Sequence, residues 1–296
     1  MDALEVAVRR GSVVEAVHRV HAVAVRDGEI VEQAGDASIV SYLRSSSKPI
    51  QALPLVRARD DLDTREVAIA CASHLAQPAQ LDAVRSLLAK APARERELEC
   101  GVQEGRPPDP LHHNCSGKHA GMLALCRAHG WRSEGYHHAG HRAQRAMATA
   151  HAEAAHVDEQ TLPSAVDGCG VLTFALSLER SAHAFARLRA IRGGEQIVAA
   201  MTAHPELVGG AGRPDTELMR ALDGWIAKGG AEGLLCAAGP DGLAVAIKTE
   251  DGANRAHSPA LHEFFGRVGL PLPDEFARVE LRNAHREPVG EIVSVT

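Results

Sequence analysis

The chain has 296 residues, of which 45% are hydrophobic and 24% are charged, and its formal net charge is −6. These values are typical of a globular protein and exclude disordered, collagen-like and coiled-coil chains. The acidic balance, with only two Trp, two Tyr and five Phe, excludes a basic surface interleaved with aromatic residues, so we expect no nucleic-acid partner.

The N-terminus and the hydrophobic runs predict where the protein resides. Acidic residues occur within Met1–Val6, where a secretory signal has a basic start and a long apolar run. Charges or prolines interrupt every run before the ~18 apolar residues of a membrane helix. We therefore expect a cytoplasmic protein with no membrane partner. Its six scattered cysteines are interpreted as buried thiols, ligands or nucleophiles rather than a disulfide framework.

Hydrophobic periodicity divides the chain into three stretches. The first forty residues alternate with a period of two around a turn at Asp27-Gly28, which predicts two or three antiparallel strands. Helical spacing follows, with helices expected near 46–58, 64–72, 78–90, 117–130, 140–156, 173–188, 193–204 and 214–228. Strands are then expected at 233–238, 243–249, 276–282 and 289–295, with a helix near 259–268.

Strands at both ends of a helical middle predict an α+β fold. One antiparallel sheet would be built from the N- and C-terminal strands, about 1–45 and 230–296, and would be flanked by helices. The helical part, about 46–229, would be an inserted subdomain of the same single domain, 1–296. A cleft between sheet and insert is the default place for a small-molecule site.

Lysine is scarce, since only five of the 32 basic residues are lysine. A lysine retained in a sequence that otherwise uses arginine can be one whose function requires a deprotonated amine, because arginine does not lose its proton. We assign Lys90 and Lys228 to exposed helix surface. Lys48, Lys118 and Lys248 lie in less ordinary contexts.

The segment Arg44-Ser45-Ser46-Ser47-Lys48-Pro49 combines a helix start with a candidate catalytic pair. Ser45 is a suitable N-cap, and proline is tolerated in a first helical turn. Ser45 and Lys48 are three positions apart and share one face, so a buried lysine of lowered pKa could accept the serine proton. The helix start alone also explains these residues.

Two further segments carry a serine or a lysine. Cys71-Ala72-Ser73-His74 ends an apolar run, and its plainer interpretation is a packed helix C-terminus. Lys248 ends an apolar strand just before a turn, where it points either into the cleft or, as an ordinary edge lysine, to solvent.

Cys115 and Cys169 each lie in a glycine-containing turn. As thiolates, with His112, His113, His119 or Lys118 nearby, they would suit zinc, although the spacing is not a standard zinc-binding motif. A reduced thiol pair and an adventitious disulfide are the alternatives. Ser116-Gly117-Lys118 lacks the upstream glycine of a phosphate loop, so we reject a nucleotide site.

The motifs R-S-S-S-K-P-I-Q-A-L-P, C-A-S-H, H-H-N-C-S-G-K-H-A-G-M-L, D-G-C-G and A-I-K-T-E-D-G occur in this order. Together they resemble the motif set of the class 3 L-asparaginases, the bacterial thermolabile asparaginase II family, over about residues 5–295. That family is similar in fold to serine β-lactamases and serine-dependent glutaminases. The resemblance implies a homodimeric enzyme that hydrolyses L-asparagine to L-aspartate and ammonia.

The resemblance also implies roles for individual residues. The catalytic pairs would be Ser45 with Lys48 and Ser73 with Lys248. The ligands of a supporting Zn²⁺ ion would be Cys115, Lys118 and Cys169, and the substrate-binding residues would be Arg44 for the carboxylate and Asp167 for the ammonium. In the mechanism that we expect, Ser45 attacks the amide, Lys48 accepts its proton, and the second pair assists proton transfer to ammonia.

The fold and the S-x-x-K motif do not determine the substrate, so two other functions remain possible. One is a glutaminase or another small amidase on the same scaffold; a β-lactamase is disfavoured because Glu250 stands where that family has glycine. The other is a zinc-binding protein without turnover, although such a protein would not need all four serine and lysine positions.

Overall fold

The computed structural model describes residues 2–295, so positions 1 and 296 of the predicted domain lie outside the described residues. The described strands, in chain order, are β1 (Leu4–Arg10), β2 (Val13–Arg26), β3 (Glu29–Ala34), β4 (Val40–Tyr42), β5 (Ser164–Val166), β6 (Leu172–Ser177), β7 (Ile226–Gly229), β8 (Leu234–Ala238), β9 (Ala244–Thr249), β10 (Arg278–Arg282) and β11 (Pro288–Ser294).

The α-helices are mostly in the middle of the chain. In order they are α1 (Lys48–Gln51), α2 (Leu53–Ala58), α3 (Thr64–Ala70), α4 (Pro78–Lys90), α5 (Ser116–Ala128), α6 (Arg142–Ala155), α7 (Leu178–Leu188), α8 (Gly194–Ala203), α9 (Pro205–Val208), α10 (Pro214–Ala221) and α11 (His257–Arg267). Short 3-10 turns lie at Arg44–Ser47, Glu95–Glu97, Pro110–His112, Glu159–Thr161, Asn254–Ala256 and Asp274–Phe276.

One antiparallel sheet joins the two ends of the chain. Its strand order is β10-β11-β1-β2-β9-β8-β7, and β3 pairs with β2 outside this path. The N-terminal β1 and β2 therefore lie between the C-terminal β11 and β9, with Val6 opposite Ser294 and His21 opposite Lys248. Helix α7 packs against β2, β8 and β9, and α11 packs against β1, β9, β10 and β11. This arrangement confirms the predicted α+β fold with a sheet built from the two termini.

The middle of the chain is not wholly helical. Strands β4, β6 and β5 form a second, three-stranded sheet in that order, and the first residues of the helix expected near 173–188 belong instead to its central strand, β6. The helix begins only at Leu178, because the Ser177 side chain accepts a hydrogen bond from the Arg180 amide and so caps α7.

Two other predicted helices are shorter than expected. The helix expected over 46–58 starts as a 3-10 turn and divides into α1 and α2, each of which has a proline in its first turn. The helix expected over 214–228 ends at Ala221, after which Gly224 has φ +71° and β7 begins. Lys228 therefore lies in an edge strand of the main sheet rather than on a helix.

A hydrophobic core runs through the sheet and the helices, from Leu4 and Val23 in the sheet to Leu123 in α5 and Leu218 in α10. Over residues 2–295, no helix combines the length and the apolar character that a membrane crossing requires.

Candidate active site

The 3-10 turn Arg44–Ser47 connects the small sheet to α1. Arg44 has φ +50°, which a residue other than glycine adopts only under constraint. The Arg44 amide donates to Thr173 Oγ1 at 3.0 Å, and Ser47 Oγ donates to the Arg44 carbonyl at 2.7 Å. Ser45 lies half-buried within this turn and is not the N-cap that the sequence predicted.

Lys48, the first residue of α1, is wholly buried. Its Nζ donates to the Ala72 carbonyl at 2.5 Å and to Ser73 Oγ at 2.9 Å, and the Asn114 carbonyl lies 3.5 Å away. Burial lowers the pKa of Lys48; the Cys115 thiol opposes this, whereas the charge of Lys118 lowers the pKa further. No carboxylate forms an ion pair with Lys48 in the described part of the chain, so this amine is suited to accept a proton.

Ser73 and His74 follow the end of α3 in an extended segment. The Ser73 amide donates to the Val208 carbonyl at 2.8 Å, and the His74 amide donates to the Asn114 carbonyl at 3.2 Å. His74 Nε2 contacts Ser116 Oγ at 2.8 Å, while Nδ1 accepts from the Ala76 amide. Burial, with Lys48 nearby, lowers the pKa of His74 to about 3, so this imidazole is neutral and holds α5 in place.

Lys248 and Ser73 are not brought together as predicted. Lys248 is 7% exposed, so it is not a solvated edge lysine, and its Nζ donates to the Thr249 carbonyl. Burial lowers its pKa, and the charges of Glu232, Asp251 and Glu250 oppose that change. Within residues 2–295, no hydrogen bond joins Ser73 to Lys248 or Ser45 to Lys48. The structure instead joins one member of each predicted pair, Lys48 and Ser73.

A second buried lysine near the site was missed, because Lys228 was assigned to exposed helix surface. Lys228 and Asp215 have side-chain exposures of 0% and 1%, and Lys228 Nζ lies 3.2 Å from Asp215 Oδ2. The same carboxylate accepts from the Gly229 amide at 2.9 Å, and Ser46 Oγ donates to the Lys228 carbonyl at 3.1 Å. The scarcity of lysine was the signal that could have drawn attention to this position.

The electrostatics of Lys228 connect it with the Lys48 region. Burial lowers the pKa of Lys228 to about 8; Asp215 opposes the change, and the charge of Lys48 adds to it. Lys228 is therefore a second candidate, beside Lys248, for a lysine whose charge influences the site.

Two glycines allow the elements of the site to approach closely. A Cβ on Gly230 would lie 2.7 Å from Ser46 Oγ, between the end of β7 and the Arg44–Ser47 turn. A Cβ on Gly117 would lie 2.1 Å from the Ile69 carbonyl oxygen, where α5 crosses the end of α3. Both positions exclude any side chain at the present backbone distances.

The two predicted substrate-binding residues lie in contact. Arg44 Nε donates to Asp167 Oδ1 at 2.5 Å, and Glu232 Oε1 is 4.0 Å from the other side of the same guanidinium. Burial raises the pKa of Asp167, but Lys118 and Arg44 together outweigh burial, so its pKa lies below the usual value. Arg44 is 30% exposed at the side chain, which leaves part of its guanidinium open to a ligand.

The three predicted metal ligands converge in a buried cluster. Lys118 Nζ donates to Cys169 Sγ at 3.2 Å, and the Cys115 thiol hydrogen-bonds to Cys169. This bond and the charge of Lys118 lower the pKa of Cys169 to about 5 against the effect of burial. Burial lowers the pKa of Lys118, but the two sulfurs more than reverse that change.

Two members of this cluster fit zinc, because cysteine thiolates are ligands that zinc prefers, whereas the amine of Lys118 is not an ordinary zinc ligand. Residues 2–295 contain no group of three or more His, Cys, Asp and Glu side chains that could hold a metal ion. A zinc ion here would therefore depend on Lys118, which would have to give up its proton to coordinate.

A family model described as L-asparaginase II matches residues 6–294. The chain therefore belongs to the L-asparaginase II family, which makes it an amidohydrolase of the asparaginase type with a small-molecule substrate.

A search of curated proteins gives no match. Among solved structures, the chain is similar to a β-lactamase from Mycobacterium bovis, with 15% identity and a TM-score of 0.34 over 79% of this chain and 88% of that chain.

Proposed function

We propose that the protein hydrolyses the side-chain amide of L-asparagine, giving L-aspartate and ammonia. The observation that carries the proposal is the buried amine of Lys48, three residues after Ser45, whose Nζ lies within hydrogen-bond distance of Ser73 Oγ and the Ala72 carbonyl oxygen. Family membership supports the reaction class. The adjacent charges of Arg44 and Asp167 suit the carboxylate and the ammonium of a free amino acid.

In the proposed mechanism, Ser45 Oγ attacks the amide carbon while neutral Lys48 accepts its proton. The bond from Ser45 Oγ to carbon forms, and the carbon–nitrogen bond then breaks. Ser73, which is hydrogen-bonded to Lys48, passes the proton from Lys48 to the departing nitrogen, so that ammonia leaves. A water molecule next hydrolyses the ester on Ser45 by the same proton path in reverse.

Two lysines are candidates for the second lysine of the site. Lys248 remains the lysine that we predicted to assist proton transfer. Lys228 is electrostatically coupled to Lys48, because the charge of Lys48 lowers the pKa of Lys228. We propose that the Lys118 ammonium favours neutral Lys48, since like charges disfavour each other, and that Lys228, held by Asp215, is a further positive group near the site.

We propose further that Cys115, Lys118 and Cys169 hold a Zn²⁺ ion in a supporting role. When bound, zinc would supply positive charge that stabilises both thiolates and holds the turn that carries Asp167. Metal analysis of the purified protein tests this, with Cys169→Ser expected to lose zinc and Cys236→Ser, a buried cysteine in β8, expected to retain it. Equal zinc in both variants would contradict the assignment.

The test of the activity is ammonia release from L-asparagine and, separately, from L-glutamine. We expect faster release from asparagine; the one extra methylene of glutamine accounts for ~1–3 kcal/mol of discrimination. Faster release from glutamine would assign the protein as a glutaminase, and no release from either would favour a binding protein.

Two serine variants test the mechanism. Ser45→Ala should lose ester formation and turnover, whereas Ser73→Ala should slow proton transfer but still form the ester on Ser45, detectable by mass spectrometry. Ser38→Ala, an exposed serine bonded to Asp36, is the control. An ester that forms in Ser45→Ala would make Ser73 the nucleophile.

The remaining predictions concern the whole chain. We propose that residues 1–296 act as one enzyme domain, since a common hydrophobic core includes both sheet and helices. A homodimer and a cytoplasmic location stay predictions, which light scattering of the purified protein and cell fractionation would check.

A further inference from the structure

A cavity of about 270 Å³ lies beside the Lys228–Asp215 pair, and none of its other polar lining residues has a part in the proposed mechanism. It is enclosed by the start of α10, the end of β7 and the start of α11. Its polar lining residues are Arg213, Asp215, Asn254, Arg255, His257 and Ser258. This volume is below that of drug-binding pockets, so the cavity is suited to a compact metabolite.

His257 gives the cavity an unused hydrogen-bond acceptor. The residue is 2% exposed, and one ring nitrogen donates to the Gly233 carbonyl. Burial lowers its pKa to about 4, so the ring is neutral and the other nitrogen, Nε2, is an acceptor. Nε2 has no hydrogen-bond partner among residues 2–295. A buried polar atom without a partner is costly, and a ligand that donates a hydrogen bond would satisfy it.

Two guanidinium groups give the cavity positive charge. Arg213 makes no hydrogen bond or ion pair through its side chain within the described part of the chain, although its charge acts on Asp215 and His257. Arg255 donates from Nε to His18 Nε2 at 2.9 Å, which leaves its two terminal nitrogens for a ligand. Both side chains are at least partly exposed and can therefore adjust to an anion.

The remaining lining groups are mainly hydrogen-bond donors. Asn254 Oδ1 accepts from the Gly233 amide, so its amide nitrogen is available to donate. Donors and positive charge thus lie around His257 Nε2, while the Asp215 carboxylate, which also lines the cavity, accepts from Lys228 and from the Gly229 amide.

We propose that this cavity binds a short dicarboxylate that also carries an amino or hydroxyl group. Arg213 and Arg255 would each bind one carboxylate, and the amino or hydroxyl group would donate to His257 Nε2. The proposal does not depend on the amide that the protein hydrolyses.

Titration calorimetry at pH 7 with L-malate and succinate tests the proposal on the full chain. L-malate has the hydroxyl donor and succinate lacks it, so we expect L-malate to bind at least tenfold more tightly. His257→Phe should remove this preference.

The two arginines are tested separately. Arg213→Gln and Arg255→Gln, at exposed or half-exposed positions, should each weaken the affinity for L-malate at least tenfold. Arg220→Gln, on the same α10 but exposed and bonded to Glu217, should change the affinity less than twofold.

Three outcomes would overturn the proposal. One is the absence of heat with either dicarboxylate. Another is binding that Arg44→Gln weakens and Arg213→Gln does not, which would move the ligand to the candidate active site. The third is inorganic phosphate binding as tightly as L-malate, which would reveal a general anion site. Because catalysis is not read in this experiment, failure of the proposed function would leave its result unaffected.

Discussion

Lys48 and Lys228 are both wholly buried, yet they meet different partners. Lys48 Nζ contacts a hydroxyl and backbone carbonyls, whereas Lys228 Nζ contacts the carboxylate of Asp215 at 3.2 Å. Burial disfavours the charged form of both, and only Lys228 has an adjacent carboxylate that stabilises its charge. The difference is the reason for proposing Lys48 rather than Lys228 as the proton acceptor; with a pKa of about 8, Lys228 stays charged until the solution becomes alkaline.

The largest expected effect follows from removing the amine of Lys48. Lys48→Met should lower kcat/KM for ammonia release from L-asparagine about 10³-fold, because the proposed mechanism uses the Lys48 amine to accept the Ser45 proton. Lys48→Arg should not restore activity, since guanidinium keeps its proton at every accessible pH. Activity within tenfold of wild type in Lys48→Met would remove the distinction between the two lysines.

Breaking the other pair should affect folding. Asp215→Asn leaves the Lys228 charge buried without its partner, and we expect the free energy of unfolding in urea to fall by about 3 kcal/mol. Glu95→Gln is the control, because Glu95 pairs with Arg85 on the surface at 2.9 Å and should contribute less than about 1 kcal/mol. Equal losses in the two variants would contradict a special role for burial.

The pH dependence of stability gives a finer comparison. The pKa of Lys228 is about 8 in the folded protein and 10.5 as the ordinary value, so between these two pH values the unfolded chain binds more protons. The contribution of Lys228 to stability therefore rises with pH in this window, by at most about 1.4 kcal/mol per pH unit. The difference in unfolding free energy between wild type and Lys228→Met, measured at pH 8 and pH 10, should change accordingly. A difference that stays constant would show an unshifted lysine.

The smallest expected effect is on substrate binding. Arg44→Gln should raise KM for L-asparagine about fivefold and change kcat less, because the proposed role of Arg44 is to bind the substrate carboxylate and not the reacting amide. Steady-state kinetics would check this. A loss in kcat alone would mean that Arg44 acts by holding the strained turn before Ser45 rather than by binding.

The sequence predicted the terminal sheet well, because the alternation of hydrophobic residues near β1 and β2 and the short apolar runs of β8 and β9 around a turn are local signals. It failed at Lys228, because β7 is only four residues long and is defined by its pairing with β8, which is not visible in its own spacing. The motif order indicated the family that the comparison confirmed.

The site was predicted less completely than the fold. Ser45 and Lys48 were predicted to pair because they are three positions apart. In the structure, Lys48 Nζ donates instead to Ser73 Oγ, 25 positions away. Such a contact depends on how α1 packs against the end of α3, and a single sequence does not contain that information. The convergence of Cys115, Lys118 and Cys169 agrees with the ligand set that the family resemblance implies. The resemblance placed Arg44 and Asp167 near the substrate, but their direct contact was not predicted.

The absence of a side chain at Gly117 has a consequence for laboratory evolution of this protein. Because a Cβ there would meet the Ile69 carbonyl at 2.1 Å, even alanine would push α5 away from α3. That displacement would separate Lys118 on one helix from Ser73 beyond the other. In a library randomised at every position and selected for turnover, Gly117 would therefore tolerate fewer replacements than many residues that carry functional groups.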